Sequence, residues 1–352
     1  MKQETILVTG SSGLIGGEVV NFFCEKGFKV LGVDNNMREV FFGRQGSTKS
    51  NLKRLENKFS SFKSHNIDIR NRKLIDELVK EKKPNIIVHT AAQPSHDKAA
   101  EIPFLDFEVN AFGTLNLLES TRKYCSNSPF IHLSTNKVYG DTPNKIQIKE
   151  LETRWEYKNN FFKKGINENL TIDQSTHSLF GVSKLSSDLL VQEYGRYFNI
   201  PTCCLRGGCL TGPSHSGVKL HGFLNYLIRC NLLKKKYTIF GYKGKQVRDN
   251  IHSFDVANFI YLFSRNPKLA AVYNIGGGYA NSISILEAFN LIESLTGNKM
   301  VYDYDPKERI GDHICYYSDL TKIRGDYPSW EITKSLTNIF EDIHDGLKDI
   351  VT

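Results

Sequence analysis

The chain predicts a doubly wound α/β fold, a parallel sheet covered by helices on both faces. Three observations predict it. Short apolar runs alternate with longer stretches of helical period. The first of these runs leads into Thr9-Gly10-Ser11-Ser12-Gly13-Leu14-Ile15-Gly16, and the second closes on Asp34. With 352 residues and 40% hydrophobic content, the chain can bury a substantial core and suits a two-lobed subunit.

Taken in order, the strands are expected at 6–8, 29–33, 86–89, 130–134 and 202–206. Between the first two, Gly10 lets the chain reverse, Gly13 lets a pyrophosphate approach the backbone, and Gly16 lets helix and strand pack closely. Leu14 and Ile15 open the helix, whose first N–H groups face that anion. Asp34, with Asn35 beside it, stands about 20 positions on, where an acidic residue accepts ribose hydroxyls and repels a 2′-phosphate. The pattern therefore predicts NAD over NADP, a preference that the nearby Arg38 softens. Helices follow at 74–79, 112–124 and beyond Lys184. The last carries Leu185, Leu189, Leu190, Tyr194 and Tyr197 on one side and Ser187, Gln192 and Arg196 on the other.

Ligands of such sheets lie outside the carboxyl ends of the strands. Gly10, the segment from His89 to Gln93 and the segment from Ser134 to Lys137 all fall there. Residues 141–176 are polar and lack a period, so they predict a loop or lid over that edge. Beyond about Leu210 the alternation weakens, and glycine-rich turns at 241–244 and 274–278 mark crossings between two lobes.

Composition excludes several classes. The net charge of +8 comes from scattered Lys and Arg. The one cluster, Lys234-Lys235-Lys236, has no aromatic platform and reads as a solvated turn, so no nucleic-acid partner is expected. Seven cysteines without a C-x-x-C pair read as reduced core residues, with no metal site. No run approaches membrane-spanning length and the start has no secretory pattern, which predicts a cytoplasmic protein without a membrane partner.

Further motifs sharpen the reading. Ser134-Thr135-Asn136-Lys137-Val138-Tyr139-Gly140 puts a hydroxyl at a strand end, and Phe180-Gly181-Val182-Ser183-Lys184 opens a helix with Phe180 and Lys184 one turn apart. Together with the glycine fingerprint, His89-Thr90-Ala91-Ala92-Gln93 and Asn110-Ala111-Phe112-Gly113-Thr114, they resemble the extended short-chain dehydrogenase/reductase family. The resemblance covers nearly the whole chain. In local wording it is nearest the family's CDP-hexose 2-epimerases, through Glu152-Thr153-Arg154 and Gly244-Lys245-Gln246-Val247-Arg248-Asp249.

The resemblance implies a Rossmann NAD-binding domain over 1–208 and 249–276 and a smaller substrate-binding lobe over 209–248 and 277–352. It implies a nucleotide-sugar epimerase in polysaccharide biosynthesis that removes hydride from a sugar carbon and returns it to the other face. Thr135 then matches the residue that orients the reacting oxygen, and Lys184 the lysine that grips the nicotinamide ribose. Ala91, Ala92, Gln93 and Asn110 fall at cofactor positions, and Asp68-Ile69 resembles the pair that contacts adenine. Gln93, Asn136 and Lys137 fall near the sugar, while Arg248 and Arg309 match positions that clamp the diphosphate, which guanidinium forks suit. Dehydratases of the family carry Asp-Glu after the threonine, where this chain has Asn136-Lys137, so dehydration is disfavoured. The family's dimers pack helices corresponding to 113–124 and 181–198 into a four-helix bundle, which implies a homodimer.

One position departs from the pattern. Phe180 stands where the family has its tyrosine, and alcohol oxidation needs a base for the hydroxyl proton. A relocated base, a change made to trap bound substrate, and a silent binder of NAD and nucleotide sugar are the three explanations. His177, three residues before Phe180, is the first candidate for a relocated base; Tyr139, Tyr157 and Lys137 follow.

Overall fold

The computed structural model describes residues 3–214, 222–308 and 311–351. It divides into two compact units. The first comprises Met1–Val138, Leu179–Arg206 and Val256–Tyr273; the second comprises Tyr139–Ser178, Gly207–Asp255 and Asn274–Thr352. Residues 139–178 and 249–255, read from the sequence as part of the nucleotide-binding domain, thus make their contacts in the second unit.

The first unit is built on a seven-stranded sheet. Its early strands are β1 (Thr5–Thr9), β2 (Lys29–Val33), β3 (Phe62–His65), β4 (Ile86–His89) and β5 (Phe130–Thr135). The order is Ala271–Ile275, Thr202–Gly207, β5, β4, β1, β2, β3. β1 pairs in parallel with β2 on one side and with β4 on the other, so the strand order reverses there. Such a reversal opens a crevice at the carboxyl end of the sheet. β4 and the apolar residues of β1 are buried throughout, as strands covered on both faces must be. Helix α1 (Leu14–Glu25) lays Ile15, Val19, Val20 and Phe23 on the sheet. Arg72–Lys82 begins where the Asn71 side chain accepts a hydrogen bond from Leu74 N, and it buries Ile75, Leu78 and Val79.

The helix Leu179–Phe198 buries much of its polar side. Beside Phe180 and Val191, its buried residues are polar or glycine, among them Ser183, Lys184, Ser187, Asp188 and Gln192. On the apolar side Leu190 and Tyr194 pack against the core, while Leu189 and Tyr197 are 40% and 80% exposed. Buried partners explain the polar residues. Asp188 accepts hydrogen bonds from Ser134 (2.6 Å), Gln192 (2.7 Å) and Arg206 (2.9 and 3.1 Å), which turns the polar side inward.

The second unit holds an antiparallel hairpin, Ile148–Glu150 with Trp155–Tyr157, where the sequence suggested only a loop. Strand Val247–His252 pairs with Ser282–Ser284, Cys315–Tyr316 and Cys209–Thr211. The core of this unit gathers Leu227, Ile228, Phe289, Ile292, Phe340 and Ile343. All seven cysteines are free thiols, five of them buried. Among the described residues, no helix is long and apolar enough to cross a membrane.

Candidate active site

The glycine turn is shaped for an anion. Gly10 adopts φ +68°, which favours glycine, and its N–H donates to Val33 O at 2.8 Å. A Cβ on Gly10 would stand 2.8 Å from Ala91 N and Thr90 Oγ1, and one on Gly16 would run into the Gly10 carbonyl. A Cβ on Gly13 would meet only Gly10 O, at 3.2 Å, so this side of the turn is open. Gly13 caps α1 without a side-chain bond. The first-turn N–H groups of Leu14, Ile15 and Gly16 have no intrahelical partner by construction. The open cradle thus fits the pyrophosphate of a dinucleotide.

Asp34 follows at the end of β2. Its Oδ2 accepts from Ser12 N at 2.9 Å and its Oδ1 from Asn36 N at 2.8 Å. A carboxylate offers about four acceptor sites, so capacity for two ribose hydroxyls remains. Asn35 Oδ1 accepts from Met37 N at 3.3 Å, and the Arg38 guanidinium lies 4.8 Å from the centre of the Phe42 ring. Asp68 is taken up by Arg70, with contacts of 2.7 and 3.1 Å. Burial acts to raise the Asp68 pKa, and the Arg70 bonds outweigh it and hold the carboxyl below its ordinary value. Ile69 is a core residue packed against Gly113.

Beyond β4, Ala91 and Ala92 are half-buried, and Gln93 is 0% exposed. The Gln93 amide is engaged inside the protein. Nε2 donates to Asp106 Oδ1 (2.7 Å) and Ser95 O (2.9 Å), while Oε1 accepts from Ser95 N (2.7 Å). Asn110 lies in a π-helical turn, Glu108–Phe112. Its Oδ1 accepts from Gln93 N, and its Nδ2 faces Gln93 O, Asp106 Oδ1 and Ser183 Oγ at 3.0 to 3.1 Å. The N–H groups of both amides are taken up inside the protein, so both act as ties between elements.

Lys184 is 3% exposed and donates to Leu133 O at 2.7 Å. Its Nζ lies 3.3 Å from His132 Nε2. Burial lowers its pKa to about 8 against the pull of Asp188, Cys204 and Asp106. Beside it, His132 and His89 have ring centres 5.1 Å apart. His89 bonds Thr9 Oγ1 at 2.7 Å and Thr114 Oγ1 at 2.9 Å. Burial, with the Lys184 charge, holds His89 at about 3 and His132 well below the usual imidazole value. Thr135 is half-buried; its Oγ1 accepts from Lys137 N at 3.2 Å and lies 3.4 Å from the buried Asn136 Oδ1.

Phe180 is 6% exposed, and its ring centre lies 5.0 Å from that of His96. The sequence reading passed over His96. The half-buried imidazole heads a short helix, His96–Glu101, just past the carboxyl end of β4. No motif marks it, and only the fold brings it to Phe180.

In the second unit, Arg248 Nη1 donates to Val247 O and Nη2 pairs with Asp312 Oδ1, each at 2.8 Å. Burial works to lower its pKa, and Asp312 more than offsets this. Arg309 lies outside the described residues. His177 Nε2 lies 2.9 Å from Ile172 O. A carbonyl only accepts, so Nε2 carries the hydrogen. The hydroxyls of Tyr139 and Tyr157 donate to Asn274 Oδ1 and Cys315 O, and burial raises the Tyr157 pKa further.

Residues 6–276 match the model of the NAD dependent epimerase/dehydratase family. The chain belongs to that family. CDP-paratose 2-epimerase of Salmonella typhi is 32% identical over 325 residues, covering 90% of this chain and 92% of that protein. A putative UDP-glucose 4-epimerase of Methanocaldococcus jannaschii is 29% identical over 319 residues, 90% of each chain. Among solved structures, a tyrosine-to-phenylalanine mutant of UDP-glucuronic acid 4-epimerase from Bacillus cereus superposes with a TM-score of 0.80 at 26% identity, over 98% of this chain and 99% of that one. It is described as a complex with UDP-4-deoxy-4-fluoro-glucuronic acid and NAD. The chain is thus a member of a family of NAD-dependent nucleotide-sugar epimerases.

Proposed function

We propose that this protein is an NAD-dependent epimerase that inverts C2 of a CDP-hexose, acting as a cytoplasmic homodimer in polysaccharide biosynthesis. The observation that carries the reading is the open glycine cradle beside Asp34, at the reversal of the sheet. The choice of CDP-hexose rests on the 32% identical relative.

Bound there, NAD supplies the acceptor that takes a hydrogen and its electron pair from a sugar carbon and gives them back. Leu14, Ile15 and Gly16 hold the pyrophosphate with backbone N–H groups, and Asp34 and Asn35 hold the adenosine ribose with Arg38 close by. Asp68 and Ile69 flank the adenine, and Ala91, Ala92, Gln93 and Asn110 shape the wall through backbone and packing. Lys184 grips the second ribose. Thr135 orients the reacting oxygen, Asn136 and Lys137 meet the sugar, and Arg248 and Arg309 take the diphosphate. The second reading, a silent binder, is favoured by Phe180, because the phenylalanine variant of the Bacillus cereus enzyme is described in complex with both ligands.

The test is turnover. Purified protein with NAD is incubated with CDP-, UDP-, GDP- and dTDP-hexoses, and products are read by NMR. An epimerised CDP-hexose is the expected result. Binding of NAD and CDP-hexose without product from any of the four would establish the silent binder instead.

A further inference from the structure

We propose that His96 is the acid–base residue of this chain, doing in imidazole form the proton transfer that Phe180 has no group to perform. The proposal rests on the epimerase reading above.

Two facing rings on separate elements need a frame, and the frame is visible. The Gln93 side chain clasps Ser95 from both sides, accepting from its N–H at 2.7 Å and donating to its C=O at 2.9 Å. Ser95 then caps the short helix through its hydroxyl, which accepts from Lys98 N at 3.3 Å. His96, the next residue, therefore hangs from a backbone fixed on either side. On the opposing helix, Ser183 Oγ donates to Phe180 O at 3.1 Å and is itself held by Asn110 Nδ2 at 3.0 Å. Asn110 is bonded in turn to Gln93 and Asp106. A single buried network thus holds the backbones that carry His96 and Phe180, and its members are nearly all satisfied, as a rigid polar core requires.

The chemistry suits the position. His96 follows the carboxyl end of β4, the edge where ligands of such sheets bind, and Phe180 faces it. Phe180 is almost wholly buried, whereas His96 is half-buried. An imidazole can both accept and donate a proton, which the Phe180 ring cannot. The step balances. The hydroxyl proton passes to the bare imidazole nitrogen, and the O–H electron pair becomes the second C–O bond. The carbon's hydrogen leaves with its own pair to the acceptor named above. On return, the imidazolium gives its proton back to the oxygen. Nothing is gained or lost over the cycle.

The experiment compares wild type, His96→Asn, His96→Gln, Phe180→Tyr and the double variant His96→Asn/Phe180→Tyr, each loaded with NAD, on the four nucleotide hexoses. Calorimetry with NAD and with CDP-glucose gives a readout that does not require turnover. The expected result is that both His96 variants keep these affinities and KM within about two-fold. Their kcat falls by about 10² or more, the usual worth of acid–base help. Phe180→Tyr then restores turnover in the His96→Asn background, which repair of a merely structural fault would not do. If wild type turns over and the His96 variants match it, the proposal is wrong and the epimerase reading stands. If wild type is silent and Phe180→Tyr turns over, His96 is no base, and the reading survives as that of a lapsed enzyme. Silence from every protein overturns the epimerase reading and the proposal with it.

Discussion

Three buried nitrogenous side chains, His89, His132 and Lys184, are held in their neutral direction by burial, and this has a cost that pH exposes. The folded histidines stay neutral well below 6.5, whereas the unfolded chain binds protons as soon as pH passes that value. Unfolding therefore takes up protons, and stability falls as pH drops below 6.5. At about 1.4 kcal/mol per unit, each histidine removes roughly 2 kcal/mol by pH 5. Lys184 acts in another window. Between about 8 and its unfolded value the unfolded chain keeps a proton that the folded one releases, so stability climbs as pH rises there. Urea unfolding from pH 5 to 10 should show both limbs. His132→Gln should flatten the acid limb, and an unchanged slope in that variant would mean that His132 is charged in the fold.

At the level of elements, one buried pair joins three of them. Asp188 on Leu179–Phe198 meets Arg206 on Thr202–Gly207 and Ser134 on β5, with the Asp188 and Arg206 side chains 0% and 5% exposed. Asp188→Asn leaves the guanidinium buried without its counter-charge, which costs about 3–5 kcal/mol. The joint change Asp188→Leu with Arg206→Met should recover most of that loss, because well-packed apolar replacements of buried pairs are often neutral. Chemical denaturation of the three proteins measures both effects. This pair also shows where the sequence was readable. Five of the seven strands of the first sheet and the turn at Gly10 were legible, because uninterrupted apolar runs and a glycine at positive φ leave local signatures, whereas Phe62–His65, with only its phenylalanine fully buried, and Ala271–Ile275 were not picked out. The orientation of Leu179–Phe198 was not, since a hydrophobic stripe is expected inward and here the hydrogen-bond partners of Asp188 lie on other strands. His96 was illegible for the same reason. Its neighbour Phe180 is distant in sequence, and the Gln93 clasp that positions it exists only once Asp106 and Asn110 have folded around it.

For the whole molecule, the outward turn of that stripe bears on assembly. Val182 and Leu189, two turns apart, are both exposed, as are Tyr197 and Phe198 further along the helix and Phe112 at the start of Gly113–Tyr124. Scattered apolar residues need no explanation, but a stripe along one long helix marks an interaction surface. Lys184, Ser187 and Asp188 of the same helix are consumed within the first unit, while Val182, Leu189 and Tyr197 stay outward and open to a partner. A second copy of the same helix offers a matching stripe, and a two-fold interface is self-complementary by construction. A stable interface of this kind buries on the order of 1,000 Å² or more, within the reach of two helices from each copy. Sedimentation of the wild-type protein at micromolar concentration should therefore give a dimer, and Val182→Asp with Leu189→Asp should give a folded monomer. A wild-type monomer would remove the homodimer from the proposed function, leaving the stripe without a partner of its own kind. A dimer that survives both aspartates would place the contact on another face.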